Sequence, residues 1–415
     1  MNIIVISHSY PRWKNDWSAN FIESLCLAYV KDGHNVTLFV PQTNNWCRTA
    51  ADMGNIKVVN FQYFPIKRLQ VLGYGKALKN DIRPALFQSI LMMFYVIHGI
   101  FHLFRFLKSE NKIDFIHCHW AFPNSIIAFG AQRLAKTSIP VISSFPGSDV
   151  TALSKLKSLG KWIVRNIINK SSYISCNSHD LKDELKKMGI DNNKLGFVIY
   201  GVNQVTISED VEGRRFVRDR MNFKEKDIFL LMIGRFVNKK GFSTGIKAMK
   251  FILLNHKNVR LVIIGDGILK NEYLDIIKKD SITEHVTFLG YVELHDLYKY
   301  YSACDIFLMP SKRLPADGLN VTVVEAMACN KPIIASNVGG NELVVFDNAN
   351  GFLHAEDDFK GLAEKVNILI ENQKLREKFG QHSRQLVENF FNWDSISKYY
   401  VERISCLSSL NSNSG

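Results

Sequence analysis

The sequence predicts an α/β protein made of two doubly wound, Rossmann-like halves, and three observations lead to this prediction. Short apolar runs rich in β-branched residues alternate with longer amphipathic stretches, which is the rhythm of βαβ units in a parallel sheet. That rhythm stops in a polar stretch and starts again at residue 228. A chain of 415 residues also exceeds what one hydrophobic core usually organises.

The first half of the chain carries a series of predicted strands separated by amphipathic stretches. The strands are IIVI (3–6), VTLFV (36–40), FIHC (115–118), PVISSF (140–145), YISC (173–176) and FVIY (197–200). Residues 18–32 and 179–188 have apolar positions at helical spacing. They therefore predict helices that cover the sheet.

The second half repeats this pattern. Its predicted strands are IFLLMIG (228–234), VRLVIIG (259–265), VTFLG (286–290), DIFLMP (305–310) and PIIAS (332–336). Residues 203–226 are polar with little periodicity, so we place a linker near 202–215. The predicted domains are 1–205, 206–390 and a C-terminal helix over 391–415 that crosses back to the first domain. Two such halves facing each other would form a ligand cleft at the carboxyl ends of both sheets.

Composition limits the class of protein and its partners. A share of 47% apolar and 22% charged residues excludes a disordered chain. The net charge of +13 favours anionic partners such as nucleotides or anionic lipid surfaces. Nucleic acid is not expected, because no recognisable nucleic-acid module accompanies the charge. Seven scattered cysteines without a C-x-x-C pair, and a first stretch unlike a signal peptide, predict a cytoplasmic protein.

Residues 84–107, PALFQSILMMFYVIHGIFHLFRFL, form an apolar stretch long enough to span a bilayer. Polar residues interrupt it at Gln88, Ser89, His98, His102 and Arg105. We therefore expect an amphipathic helix, either packed on the domain or lying in a membrane interface. Basic flanking residues keep a peripheral contact with the inner face of the cytoplasmic membrane open; they are Lys67, Arg68, Lys76, Lys79, Arg105 and Lys108.

Residues 233–249, IGRFVNKKGFSTGIKAM, have the layout of a phosphate site. A predicted strand ends at Gly234, a loop with Arg235, Lys239 and Lys240 follows, and a helix begins near Ser243. The free N–H groups and the dipole of a helix N-terminus attract an anion, and cationic side chains neutralise it. A solvated basic loop is the alternative interpretation of these residues.

Two carboxylates stand eight positions apart in LPADGLNVTVVEAMACNKPI, residues 314–333. The stretch predicts a loop followed by a helix, so Asp317 precedes the helix end toward which Glu325 tilts back. The backbone amides from Gly318 to Val321 converge on the same spot. This arrangement predicts acceptors for sugar hydroxyls beside donors for an anion. A general acid–base pair, or a plain turn acid before a helix acid, are the alternatives.

The run DGLNVTVVEAMACNKPI, which starts at Asp317, resembles the E-x7-E signature of the retaining glycosyltransferases of family four, which have the GT-B fold. Other stretches match that family in the same order along nearly the whole chain. They are YPRWKNDWSANFIESLCLAYVKDGHNVTLFVP (10–41), IHCHW (116–120), GSDV (147–150), YGVN (200–203), GRFVNKKG (234–241), GDG (265–267), FLGYV (288–292) and NVGGNELV (337–344).

The resemblance implies a role for each matching residue. Arg235 and Lys240 match the pair that holds the diphosphate of a nucleotide-sugar. Glu325 matches the glutamate that holds the ribose hydroxyls, and Asp317 matches the one that contacts the transferred sugar. The other implied donor contacts are Gly234, Gly265, Gly290, Gly318, Leu319, Asn320, Val321, Gly339, Gly340 and Glu342. The implied acceptor or sugar region comprises His119, Gly147, Asp149 and Ser18. The resemblance implies no bound metal and no cofactor, because the nucleotide-sugar is a substrate.

Several positions depart from the family pattern. Pro146 stands where a histidine commonly contacts the donor sugar region, and a proline side chain neither donates nor accepts. Asp317 is one methylene shorter than the usual glutamate. Ser18-Ala19 and Asn320 stand where glycines are frequent. We therefore expect the contacts that bind the diphosphate to be kept and the contacts to the transferred sugar to be altered.

Some residues keep two interpretations. His117 and His119 face one side of a predicted strand, but no further ligand cluster accompanies them, so a metal site is not expected. The resemblance favours His119 as a cleft residue, with a core histidine as the alternative. Asp149 either bonds locally or reaches the substrate. The aromatic segments YLDIIKK and LYKYYSACD are interpreted as core stripes.

These expectations combine into one function. The chain is expected to be a retaining, hexosyl-type glycosyltransferase that moves a sugar from a nucleotide-sugar, expected to be a UDP-sugar, to a glycan or lipid-linked acceptor in cell-surface polysaccharide biosynthesis. The alternatives are a nucleotide-sugar epimerase of the same fold, or a catalytically impaired nucleotide-binding relative, which Pro146 favours. The sugar, the linkage and the oligomeric state stay open.

Overall fold

The computed structural model of the chain divides into two compact units. It describes residues 1–13, 16, 18–43, 46–48, 53–70, 72, 85–110, 112–189, 194–203, 207–314 and 318–412. Unit 1 comprises Met1–Asn177, Leu181–Val198 and Trp393–Gly415, and unit 2 comprises Ser178–Asp180 and Ile199–Asn392. Each unit is built on one parallel β-sheet of the Rossmann type, as the alternating sequence pattern predicts.

Unit 1 is organised by a seven-stranded sheet in the order β3-β2-β1-β4-β5-β6-β7. Its strands are β1 Asn2–Ile6, β2 Asn35–Pro41, β3 Lys57–Phe61, β4 Phe115–His119, β5 Val141–Phe145, β6 Tyr173–Cys176 and β7 Leu195–Phe197. Strands β4 and β5 are buried along their whole length, as expected for central parallel strands covered on both faces. The strand order reverses between β1 and β4, and ligands bind at such switch points.

Helices cover this sheet on both sides. They are α1 Asn20–Lys31, α2 Ala85–Ser109, α3 Ala121–Ala135, α4 Ser148–Lys155, α5 Lys157–Lys170 and α6 His179–Lys187, with α14 Trp393–Ser412 from the end of the chain. Helix α2 occupies the long apolar stretch of the sequence and packs against α3. Helix α14 packs against α1, where Lys31 pairs with Asp394.

A series of buried polar groups connects the helices of unit 1 to its sheet. The Tyr29 hydroxyl hydrogen-bonds to His117 Nδ1 at 3.1 Å, and His117 Nε2 lies 2.8 Å from Ser144 Oγ. Ser144 Oγ lies 2.7 Å from Ser175 Oγ, which in turn lies 3.0 Å from the Tyr400 hydroxyl. Burial holds the pKa of His117 well below its usual value, so the ring is neutral. A neutral imidazole has one N–H donor and one acceptor nitrogen, and both are hydrogen-bonded here. The series therefore holds α1 and α14 on one face of the sheet.

Unit 2 is organised by a six-stranded sheet in the order β10-β9-β8-β11-β12-β13. Its strands are β8 Ile228–Ile233, β9 Val259–Ile264, β10 Val286–Gly290, β11 Ile306–Met309, β12 Ile333–Ser336 and β13 Gly351–His354. Its helices are α7 Val211–Arg220, α8 Phe242–Asn255, α9 Lys270–Lys279, α10 Leu294–Ala303, α11 Val321–Ala328, α12 Phe359–Glu371 and α13 Gln373–Asn389. All residues of β8 are buried, which explains its continuous apolar run.

The sequence interpretation was wrong for part of the predicted linker, because α7 begins at Val211. Asp210 caps this helix by accepting a hydrogen bond from Gly213 N at 2.8 Å. Arg214 and Arg218 then bind the two carboxylate oxygens of Asp305 at 2.8 and 3.1 Å. Because ion pairs anchor the helix, it needs few apolar residues, and its sequence VEGRRFVRDR therefore did not indicate a packed helix. The sequence also missed β3 and β13, and β7 lies two residues earlier than expected.

We expect Tyr400→Ala to lower the free energy of unfolding by about 3–5 kcal/mol, because it leaves a cavity and breaks the series of buried polar groups. Tyr400 is only 4% exposed. Urea denaturation followed by circular dichroism measures the change. Lys398→Ala, an exposed position on the same helix, is the control and should change stability by less than about 0.5 kcal/mol. Equal losses in both variants would contradict the role of Tyr400.

Candidate functional site

One candidate site lies at the carboxyl ends of β8, β9 and β10 in unit 2. Gly265 N donates to the Gly290 carbonyl oxygen at 2.8 Å, and Gly234 N donates to the Ile264 carbonyl oxygen at 3.0 Å. Gly265 has a φ of 135°, and a Cβ at this position would lie 1.9 Å from the Gly234 carbonyl oxygen. Only glycine fits there. Gly234, Gly265 and Gly290 therefore form a part of the sheet edge from which no side chain projects.

The N-termini of α8 and α11 come together through one side-chain contact. Lys240 ends the short 3-10 turn before α8, and Asn320 is the residue before α11. Lys240 Nζ donates to Asn320 Oδ1, and Asn320 Nδ2 donates to Ser311 Oγ at 2.9 Å. Neither helix has a side-chain cap hydrogen bond. Free backbone amides and a lysine charge thus meet at one place, which is the arrangement that binds anions.

Gly241 makes this approach possible. It has a φ of 61° and separates the 3-10 turn from α8. A Cβ on Gly241 would lie 1.7 Å from the Pro310 carbonyl oxygen, at the end of β11. Arg235 lies upstream in the same loop with an exposed side chain. The loop therefore brings two cationic residues to the carboxyl edge of the sheet.

Glu325 lies in α11 and is held by a tyrosine of the neighbouring helix α10. The Tyr301 hydroxyl donates to Glu325 Oε2 at 2.6 Å. Burial raises the pKa of Glu325, and the hydrogen bond from Tyr301 lowers it in part. Tyr301 is fully buried, so the core interpretation of LYKYYSACD was correct, but it missed this hydroxyl. The signal in the sequence for this contact was a tyrosine at a predicted core position in α10, the helix that precedes β11 and α11.

The remaining positions predicted for this site fall in the loops after β11 and β12. Gly318 and Leu319 are buried, and Val321 opens α11. Gly339 and Gly340 have φ values of 66° and 81°, and Glu342 lies in the short 3-10 turn that follows. Asp317 lies outside the described residues.

A buried hydrogen bond joins the loop after β11 to the end of β12. Ser336 Oγ donates to the Ser311 carbonyl oxygen at 2.6 Å. The same serine, Ser311, accepts the hydrogen bond from Asn320 through its Oγ. The loop after β11, the end of β12 and the start of α11 are therefore connected through Ser311. Sequence reasoning did not reveal this connection, because Ser311 belongs to no distinctive motif.

A second candidate site lies in unit 1, at the ends of β4 and β5. His119 ends β4, and both of its ring nitrogens are buried without a hydrogen-bond partner. Burial lowers its pKa to about 3, so the ring is neutral. Asp149, in the first turn of α4, accepts from Gly147 N at 3.3 Å and Val150 N at 3.0 Å through Oδ1.

The other oxygen of Asp149, Oδ2, is buried without a partner. Burial raises the pKa of Asp149 to about 7, although the backbone hydrogen bonds lower it. Buried polar atoms are normally satisfied, so orphaned atoms on His119 and Asp149 at one sheet edge mark a place for a polar ligand.

The neighbouring loop after β1 adds to this edge. His8 Nδ1 is also buried without a partner, and its ring lies 4.4 Å from that of Trp120. Sequence reasoning missed His8; the signal was its position two residues after β1, at the switch point of the sheet. Ser18 Oγ donates to Asp16 Oδ1 at 2.7 Å. Ala19 has a φ of 56°, a left-handed conformation that explains why glycine is frequent there.

His117 and His119 face one side of β4, with ring centroids 4.1 Å apart, as the strand alternation predicts. Their environments differ, because both ring nitrogens of His117 are hydrogen-bonded. Within the described ranges, no group of three or more His, Cys, Asp and Glu side chains is placed to hold a metal ion.

Two family models match the chain in succession. Glycosyltransferase Family 4 matches residues 18–204, and Glycosyl transferases group 1 matches residues 213–386. The chain belongs to this family of glycosyltransferases. The family prediction made from the motifs is thereby confirmed.

Known relatives of this glycosyltransferase support the assignment along most of its length. An uncharacterized glycosyltransferase of Methanocaldococcus jannaschii is 29% identical, over 81% of this chain and 92% of its own. The N-acetyl-alpha-D-glucosaminyl L-malate synthase of Bacillus anthracis is 25% identical, over 71% of this chain and 75% of its own. Anabaena HepE in complex with UDP and glucose has a TM-score of 0.70 at 17% identity, with 98% of this chain and 100% of that chain covered. This likeness and the two parallel sheets confirm the GT-B fold.

We expect Glu325→Gln to stabilise this glycosyltransferase at neutral pH. Burial raises the carboxyl pKa above its unfolded value, so the charged form is disfavoured in the folded protein. The destabilisation by this charge is complete at pH values above the pKa of Glu325 in the folded protein. It disappears as the pH falls below the ordinary pKa of glutamate. Thermal melts at neutral pH and at that lower pH measure the difference between variant and parent.

The variant should melt higher than the parent at neutral pH, and the gap should close in acid. Glu364→Gln, at an exposed position on α12, is the matched control and should show neither effect. A gap that persists or grows in acid would mean that the desolvated charge is not its cause.

Proposed function

We propose that this protein is a retaining glycosyltransferase that transfers a hexosyl group from a UDP-sugar to a glycan or lipid-linked acceptor. The observation that carries the proposal is the contact of Lys240 with Asn320 between two uncapped helix N-termini. A diphosphate is the sugar-donor group that matches free amides and a lysine at one point. The complex of HepE with UDP and glucose, of the same fold, agrees with this donor class.

The diphosphate would be held by residues of unit 2. Lys240 exchanges its contact with Asn320 for a phosphate oxygen, and Arg235 adds a second positive charge from the same loop. Both charges act on the leaving group, where negative charge grows as the sugar departs. The bare edge at Gly234, Gly265 and Gly290 lets the nucleotide approach the backbone. The cationic side chains supply the charge in this proposal, so we propose no metal and no cofactor.

Glu325 would bind the ribose of the nucleotide. Tyr301 occupies Oε2, which leaves Oε1 of the carboxylate to accept from ribose hydroxyls. A half-buried carboxylate gains more from such hydrogen bonds than an exposed one, because its own charge is less well solvated. Asp317 is proposed to contact the transferred sugar on the strength of the family pattern, and Gly339, Gly340 and Glu342 are proposed to line the donor.

The reaction that we propose proceeds on one face of the sugar. The bond between the anomeric carbon and the phosphate oxygen breaks, and the acceptor oxygen bonds to that carbon from the same face. The acceptor proton passes to the departing phosphate oxygen. In unit 1, the orphaned atoms of His119, Asp149 and His8 are proposed to bind acceptor hydroxyls, together with the backbone at Gly147 and the loop at Ser18.

The acceptor and the location of the enzyme are proposals as well. Of the described helices, one, over Ser89–Ser109, is long and apolar enough to cross a membrane, and 28% of its most apolar window is buried. We propose peripheral attachment to the inner face of the cytoplasmic membrane and a role in cell-surface polysaccharide synthesis. A small carboxylic acid acceptor is the second candidate, which the L-malate synthase relative favours.

We expect Lys240→Ala, Arg235→Ala and Glu325→Ala each to lower kcat/KM for transfer by roughly 10²–10³, the usual cost of losing one group that stabilises developing charge or a charged hydrogen bond. Release of UDP in the presence of acceptor measures transfer. The control variant Lys247→Ala removes the same charge at an exposed position on α8 and should leave kcat/KM unchanged. Full activity in all three site variants would overturn the site.

A thermal-shift screen across nucleotide-sugars identifies the donor, because a ligand that binds the folded state raises its melting temperature. We expect a UDP-sugar to give the largest shift in the parent and a reduced shift in Lys240→Ala. Conversion of that donor to its epimer without acceptor would establish the epimerase alternative. Binding without either reaction, with transfer appearing only in Pro146→His, would establish the impaired relative. An inverted anomeric configuration in the product would contradict retention.

A further inference from the structure

The junction of α4 and α5 in unit 1 carries an exposed surface of mixed apolar and basic character, here called the α4–α5 surface. Its apolar members are Leu156, Leu159 and Trp162, which are 43%, 56% and 63% exposed. Leu156 joins α4 to α5, and Leu159 and Trp162, three residues apart, are neighbours on the surface of α5. An aromatic ring of this size is rarely left so open to water, and clustered exposed apolar side chains mark an interaction site.

Positive charge surrounds these side chains without any acidic neighbour in sequence. Between Val150 and His179 the chain contains no Asp or Glu. The same segment holds exposed cations at Lys155, Lys157, Lys161, Arg165 and Lys170. Elsewhere on the protein several exposed lysines pair with carboxylates, as Lys187 does with Glu184 at 2.6 Å. The α4–α5 surface is therefore selective for an anionic partner.

We propose that the α4–α5 surface docks on an anionic lipid bilayer. Tryptophan and leucine enter the boundary between headgroups and acyl chains, while lysine stems lie along the apolar surface and place their ammonium groups at lipid phosphates. A symmetric dimer through this surface would place like charges against each other, so a second copy of the chain fits poorly.

Helix α2, the stretch that the sequence singles out for membrane contact, fits this role less well. Its exposed apolar side chains Ile90, Met93, Ile97 and Phe101 form a stripe at helical spacing. The exposed cations of α2, Arg105 and Lys108, come only at its C-terminal end. We therefore place the proposed contact at the α4–α5 surface, where cations and apolar side chains are interleaved, rather than on α2.

The α4–α5 surface lies close to the candidate acceptor region of unit 1. Helix α4 is eight residues long, which corresponds to about 12 Å. Asp149 lies in its first turn and Leu156 follows its last residue. Docking at the α4–α5 surface would hold the candidate acceptor region of unit 1 close to the headgroups. The advantage of this placement rests on the proposed lipid-linked acceptor, whereas the docking itself needs neither donor nor transfer.

Flotation of the full chain with vesicles tests the proposal. We expect binding to vesicles of phosphatidylcholine mixed with phosphatidylglycerol, no binding to phosphatidylcholine alone, and weaker binding as salt is raised. The triple variant Lys155→Gln, Lys157→Gln, Lys161→Gln should weaken partitioning by about fivefold per lysine, or roughly 100-fold in total. Trp162→Ala should weaken it severalfold, and Trp162→Phe should retain most of it.

Matched variants in unit 2 control for charge and aromatic content. Lys278→Gln, Lys279→Gln, Lys374→Gln removes the same charge from exposed positions, and Phe390→Ala removes a ring that is 62% exposed. Neither should affect flotation. Absence of binding by the parent, or equal losses in the control variants, would overturn the proposal. A change in the sedimentation coefficient of lipid-free Trp162→Ala would assign the surface to protein association instead and refute membrane docking.

The UDP-sugar thermal shift and transfer to a water-soluble acceptor should be unchanged in all α4–α5 variants. Failure of docking therefore leaves those two measurements intact, whereas failure of the proposed function leaves flotation intact.

Discussion

The close approach of backbone to backbone at the strand ends of unit 2 is the constraint on which its site depends. A single methyl group at Gly265 or Gly241 would collide with a carbonyl oxygen of the neighbouring segment. Because these positions are bare, the loop after β8 packs tightly enough for Lys240 to reach Asn320 at the start of α11. The result is two uncapped helix ends and a lysine charge, which cost free energy without a ligand and favour one that carries negative charge.

Unit 1 shows how hydrogen bonds separate a structural side chain from one available to a ligand. His117 and His119 share one face of β4, are both buried, and both have lowered pKa values. His117 is satisfied by Tyr29 and Ser144, and it joins helices to the sheet. His119 has no partner on either nitrogen. Burial and pKa alone would assign both rings the same role, whereas the unmet bonding capacity of His119 distinguishes it.

Prediction from sequence succeeded where a single segment carries the signal. Parallel strands are buried on both faces, so β4, β5, β8 and β9 read as apolar runs, and the helices between them read as amphipathic. It failed where a partner elsewhere supplies the stability. Helix α7 is anchored by ion pairs to Asp305, about ninety residues away. The apolar periodicity around Tyr301 indicated that this residue is buried. The direction of its hydroxyl group produces no such pattern in the sequence.

Periodicity and motif spacing are local properties, so the amino-acid sequence is enough to predict the two α/β halves, the family, and the loop and helix that carry Arg235, Lys240 and Glu325. Which of these side chains contact each other depends on how distant segments pack. Lys240 and Asn320 are 80 positions apart, and Tyr301 contacts Glu325 from another helix. The orphaned atoms of His119 and Asp149, and the exposure of Trp162, were likewise invisible in the sequence. Burial and hydrogen-bond satisfaction are set by contacts between distant segments, and no local pattern encodes them.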